Sequence, residues 1–133
     1  MIIGIAHFSL LVNDYDEAKD FYCKKLGFQL VEDTPMGNKR WIRIRAAGSA
    51  GPEIVLVKAS SEQEAATVGK QAGGRVFLFL TTDRIDDDFK ILSKQGIEFL
   101  DPPSLKPHGK VAVFVDLYGN KIDLIEPNIK PAK

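Results

Sequence analysis

One cysteine, Cys23, stands in 133 residues, which excludes an internal disulfide and suits a reducing compartment. No apolar run approaches the roughly 20 residues that a membrane-spanning helix needs. Neither sign of charge is in excess: eighteen basic and eighteen acidic residues cancel, so bulk electrostatics steer the chain to neither nucleic acid nor a membrane surface. The start lacks a basic region and its apolar run stops at His7, so no signal peptide is read there. A cytoplasmic protein is expected. What is present is ordinary for a globular chain, 44% hydrophobic and 27% charged, and the length fits one domain. Such a domain buries roughly two thirds of its unfolded surface.

The stretch from Ile5 to Phe28 organises the rest. Phe8, Leu10 and Val12 alternate with His7 and Ser9, the pattern of a strand with one apolar and one partly polar face. Asn13 and Asp14 supply a helix cap, and Asp16 and Glu17 lie where the helix dipole favours negative charge. Ala18, Phe21, Tyr22 and Leu26 recur at helical spacing, Gly27 ends the helix, and Phe28, Leu30 and Glu32 open a second strand. From Val76 the same unit returns. The spacing from Asp14 to Asp83 equals that from Gly27 to Gly96, 69 residues, with Ile85, Phe89 and Leu92 as the new helix's apolar positions. Two further strands follow each unit, at 41–45 and 53–58 and again at 110–115 and 121–126. The chain therefore reads as an internal duplication of a strand-helix-three-strand module, too long in period for a solenoid.

This gives an α+β domain over 1–133, with module one at 3–59, a connector at 60–74 and module two at 75–127. The expected cores hold Phe8, Leu10, Phe21, Ile54, Phe77 or Phe79, Phe89, Ile122 and Leu124. Residues 33–39, with Pro35, Gly37 and Asn38, read as a turn, and 46–52 as a small-residue loop. A short helix is expected at 62–68. Residues 101–110, with three prolines and His108, read as an irregular loop over the mouth of module two. Residues 116–120 form a hairpin turn with Gly119 at positive φ, and the tail from Pro127 is expected to fray.

Strand parity nominates the chemistry. Phe8, Leu10, Ile42, Ile44, Ile54, Leu56, Ile122 and Leu124 belong to the helix-facing side. The other side carries His7, Ser9, Trp41, Arg43, Arg45, Glu53, Val55, Lys121 and Asp123. Such residues either face water, the ordinary state of an antiparallel sheet, or line a cavity if the sheets curl together.

The duplicated module, the opening I-A-H-F-S-L-L-V-N-D with F-Y-x-x-x-L-G-F after it, and the closing V-D-L-Y-G-N-K-I-D-L-I-E resemble the vicinal oxygen chelate superfamily. That superfamily holds glyoxalase I, fosfomycin-resistance and bleomycin-resistance proteins, and extradiol dioxygenases. The resemblance runs from about Ile3 to Glu126. It implies two βαβββ modules in tandem, forming a curved, eight-stranded, cup-shaped sheet with helices outside. It also implies a homodimer, sometimes with modules exchanged, for which Phe77, Phe79 and the connector are the candidate contact region.

The metal-dependent members take their ligands from the first and last strands of each module. Carried over by position, those ligands fall on His7, Val55, Val76 and Asp123. A valine offers no lone pair, and catalytic divalent sites want about three protein donors. Glu53, two residues before Val55 and some 6–7 Å along the strand, would be needed to complete a His7–Glu53–Asp123 set, with or without His108. No cofactor is favoured. The residues expected to meet a ligand are His7, Ser9, Trp41, Arg43, Glu53, His108 and Asp123, with Arg43 and Trp41 clasping a flat, anionic organic molecule. Arg43 with Glu53 or Asp123 reads equally as an internal ion pair. The expected function is small-molecule binding without the usual metal, as in the bleomycin-resistance branch. The alternatives are a metal-dependent lactoylglutathione lyase type of enzyme, with Glu53 or Asp123 as the proton-moving carboxylate, or an extradiol dioxygenase.

Overall fold

The computed structural model describes residues 1–48 and 50–128, and it divides into a first unit, 1–71, and a second, 72–133. In the first unit β1 (His7–Val12) leads into α1 (Tyr15–Asp20), which continues as a π-helical turn at Phe21–Lys25. Strands β2 (Gln29–Met36), β3 (Lys39–Arg45) and β4 (Glu53–Lys58) follow, and the sheet order is β1-β4-β3-β2. The β1–β4 pair is parallel and the rest are antiparallel. After α2 (Glu62–Thr67) the second unit repeats the plan: β5 (Val76–Thr81), α3 (Ile85–Lys94), β6 (Phe99–Lys106), β7 (Gly109–Val115) and β8 (Lys121–Pro127), ordered β5-β8-β7-β6. The architecture is α+β and duplicated, with the eight strands hydrogen-bonded as two open four-stranded sheets. No helix among the described residues is long and apolar enough to cross a membrane.

The caps show how similar sequences reach the same turn differently. Asp14 accepts from the Glu17 N–H at 2.9 Å and starts α1, as its position predicts. Its counterpart Asp83 does not cap α3, which starts one residue later. The first N–H of α3, on Ile85, is satisfied instead by Glu126 Oε1 at 2.8 Å, a carboxylate arriving from β8. Thr82 supports the same turn, accepting from the Arg84 N–H and donating to Asp88.

Three expectations need correction. Residues 33–39 and 101–110 are mostly strand: β2 runs through Pro35 to Met36, and β6 runs through Pro102 and Pro103 to Lys106. Both are the outermost strands of their sheets, where a missing N–H leaves no ladder bond unmade. Only Gly37–Asn38 and Pro107–His108 remain as turns. The core is also smaller in aromatics than expected. Leu10, Phe21, Ile54, Ile122 and Leu124 are buried, but Phe8, Phe77 and Phe89 are half-buried and Phe79 is 64% exposed. Phe79 pairs with Asp123 in register, on the parity opposite Leu124, and so turns away from the core. Phe89 lies at the rim of an aromatic row, edge-on to Phe99 at 4.7 Å, with Phe99 reaching the fully buried Phe114 at 5.4 Å. Most of the tail expected to fray, residues 129–133, lies outside the described residues, while Pro127 ends β8.

Edge strand β1 is not left bare. Gln71, within the connector, accepts from the Leu11 N–H at 3.0 Å through its side-chain carbonyl. This is the covering an edge needs against unwanted pairing.

On the helix side of the first sheet an ion cluster fixes α1 to the β2–β3 hairpin. Asp33 receives Arg40 through two nitrogens, at 3.2 and 2.7 Å, and Lys19 at 2.9 Å; Arg40 also reaches Asp16 at 3.0 Å and lies over the Tyr15 ring. Arg40, followed by Lys19, holds the Asp33 carboxyl down at about 2. A depressed carboxyl contributes stability above its ordinary range and loses it as pH falls through the folded-state value. Asp33→Asn is therefore expected to cost about 1–2 kcal/mol at neutral pH, allowing for solvent screening. The two proteins should converge between about pH 4 and pH 2. Urea titrations at both ends of that range check it, and a pH-independent difference would refute the assignment.

Candidate functional site

The first sheet has two faces of different character because its strands alternate. Leu10, Val12, Ile42, Ile44, Ile54 and Leu56 are buried on the helix side. His7, Ser9, Trp41, Arg43, Arg45, Glu53 and Val55 fall on the other. Backbone register brings them into rows: His7 beside Glu53, then Ser9 beside Val55 beside Arg43 beside Glu32. Five of the residues expected to meet a ligand, His7, Ser9, Trp41, Arg43 and Glu53, thus share one face of one sheet.

Glu32 joins them through a bulge. The register moves from Leu30↔Ile44 to Glu32↔Arg43, so two residues of β2 answer one of β3. Without the extra residue, Glu32 would fall on the helix side and Asp33 on this one. The bulge re-aims both carboxylates, Glu32 toward Arg43 and Asp33 toward Arg40.

Arg43 Nε and Nη2 donate to Glu32 Oε1 at 3.0 and 2.8 Å, and Nη1 donates to Glu53. Glu32 also accepts from the Thr34 hydroxyl at 2.8 Å. Thr34, then Arg43, hold the Glu32 carboxyl below the usual carboxylate range, and the Glu32 and Glu53 carboxylates push Arg43 up. The Arg43 guanidinium is thereby shared between two carboxylates, the ion-pair reading of its sequence position. His7 and Trp41 meet edge to face, 5.4 Å between centroids at 76°, reaching across β4 from its two flanking strands. Val55, at the centre of that strand, is only 6% exposed.

The other two predicted residues belong to the second unit. Asp123 is half-buried between Phe79 on β5 and Val113 on β7. Burial pushes its carboxyl up, and the His108 charge opposes the rise. His108 is exposed in the tight turn between β6 and β7, so the loop expected to carry it over a cup is instead a hairpin tip.

The donors at the positions carried over from the metal-dependent members are few. Val55 and Val76 offer no donor, and Glu53 is engaged by Arg43. Among the described residues no three His, Cys, Asp or Glu side chains group as a metal site. Glu32 and Thr34 escaped the sequence reading because strict alternation puts Glu32 on the wrong face. Arg45 shares the parity of Arg43 on β3.

An uncharacterized protein of Shewanella frigidimarina (strain NCIMB 400) is 48% identical over 129 residues, 96% of each chain. The crystal structure of UcmS2 matches at a TM-score of 0.84 and 29% identity, over 95% of this chain and 99% of that one. TnmS3, described as an antibiotic binding protein from Streptomyces sp. CB03234, matches at a TM-score of 0.77 and 32% identity, over 96% and 99% of the two chains. The Glyoxalase/Bleomycin resistance protein/Dioxygenase superfamily model matches residues 4–124. The duplicated βαβββ plan and this match agree over nearly the whole length, and the chain belongs to the Glyoxalase/Bleomycin resistance protein/Dioxygenase superfamily.

Proposed function

We propose that this chain binds a small, flat, acidic organic molecule against the polar face of its first sheet, without a metal ion. The observation that carries the reading is the His7–Trp41 aromatic corner reaching across β4, with the hydrophobic Val55 where a metal-using relative would place a ligand. Ring edges, an apolar floor and a rim of fixed polar groups suit stacking and hydrogen bonding. Val55 offers no lone pair, and the Glu32 and Glu53 carboxylates are both held by Arg43. Similarity to TnmS3, an antibiotic binding protein, supports binding of an organic molecule over its conversion. Sequestration needs no transition-state stabilisation, only burial of an apolar ring and polar partners at its edge.

Protein purified without chelator is expected to carry well under one equivalent of zinc, nickel, iron or manganese. A chelator should leave its melting temperature unchanged, because no metal-binding energy supports the fold. Naphthalene-2-carboxylate should give saturable one-to-one heats in calorimetry. Trp41→Leu should weaken it roughly tenfold, the scale of one aromatic contact. Stoichiometric metal on His7 would reverse the reading in favour of a lyase.

A further inference from the structure

The sequence pointed to Arg43 as the contact for an acidic ligand, but the structure gives that guanidinium to Glu32 and Glu53. The three groups together carry one negative charge. An anion approaching Arg43 meets its two carboxylates first, and must displace one to make a two-point contact.

Arg45 is placed differently. Two residues further along β3, it keeps the parity of Arg43 and Trp41 and is half-buried. Its Nε donates to the Gln29 side-chain carbonyl at 3.2 Å, across the β2–β3 ladder. Gln29 is neutral, and among the described residues no carboxylate pairs with Arg45. Its two terminal amino groups are therefore uncommitted there, while Gln29 steadies the guanidinium at Nε. The register of Ile44 with Ile54 carries Arg45 beside Glu53, whose partner on β1 is His7. Glu53 turns to Arg43, so Arg45 and His7 flank it on either side.

We infer that Arg45, not Arg43, is the residue that selects an acidic ligand at this face, receiving a carboxylate or another oxyanion on its free edge. This rests on the binding reading above. A guanidinium edge matches two carboxylate oxygens at once, which an ammonium cannot do. Charge balance works in the same direction. Glu32, Glu53, Arg43 and Arg45 sum to zero, and removing Arg45 leaves one net negative charge on the face an acid must approach.

The test compares naphthalene-2-carboxylate with naphthalene-2-carboxamide, which keeps the ring and loses the charge, by calorimetry on the full chain at low ionic strength. Wild type should bind the acid more tightly than the amide. Arg45→Gln should weaken the acid at least about tenfold while leaving the amide within about twofold, and Arg45→Lys should restore only part of the loss. Thermal melts within about 2 °C of wild type show that the variants fold. An equal loss for both probes, or unchanged acid affinity in Arg45→Gln, overturns the role of Arg45 and leaves the binding reading standing. Failure of both probes to bind wild type overturns the binding reading, and Arg45 with it.

Discussion

Gly109→Ala is expected to cost about 3 kcal/mol and to lower the melting temperature by about 10 °C. Gly109 opens β7 at φ +148, and a Cβ built there would lie 2.4 Å from the Glu126 carbonyl oxygen, with the Pro127 Cα at 3.1 Å. Both obstacles are backbone, so no side chain can swing aside to relieve them. The strand must move, and it carries the residue that caps α3, since Glu126 accepts from the Ile85 N–H. Overpacking and loss of a cap are therefore coupled at one position. Gly119→Ala provides the comparison. Its φ is +95 but nothing lies within 4 Å of the added carbon, so only conformational strain of about 1 kcal/mol is expected. Differential scanning calorimetry should separate the two variants clearly. Equal, small shifts at both sites would mean that the β7–β8 pairing yields more easily than its backbone contacts imply.

Tyr22→Ala should be comparably severe in the first unit, at about 3–5 kcal/mol. Tyr22 is fully buried and meets Phe21 and Phe28 edge to face, at 5.2 and 5.6 Å between ring centroids. It stands in the π-helical turn, where the Leu26 N–H reaches back five residues to the Phe21 carbonyl at 3.0 Å. The Phe28 N–H then closes on the Tyr22 carbonyl at 2.8 Å. The wider turn lets Phe21 and Tyr22 both be buried while the chain leaves the helix toward β2. Tyr22→Phe keeps the rings and should lose far less. Chemical denaturation with an unchanged m-value would place the effect in the folded state. A Tyr22→Ala cost below about 1 kcal/mol would show that the neighbouring aromatics collapse into the space.

Local periodicity determined much of this protein from sequence alone. Alternation in β1, β3, β4 and β8, the helical spacing of Ala18, Phe21 and Tyr22, and the matched glycines Gly27 and Gly96 sufficed for two βαβββ modules. They also named the polar face that holds His7, Trp41, Arg43 and Glu53. Each of those signals is carried by residues within one element or by a repeat of it. The decisive features of the candidate site are of another kind. The bulge that turns Glu32 to Arg43 depends on how β2 registers with β3, and one extra residue exchanges the faces of Glu32 and Asp33. The carboxylate that starts α3 comes from β8, 41 positions away, and Gln71 covers β1 from 60 positions away. Prolines that punctuate a sequence became strand residues because their strands are outermost, a fact about neighbours. Side-chain direction is written in the spacing of one strand, but charge partners are chosen by register between strands. That is why Arg43 was visible as a candidate, and why only the tertiary structure could show that its charge was already spent and that Arg45 had no carboxylate partner among the described residues.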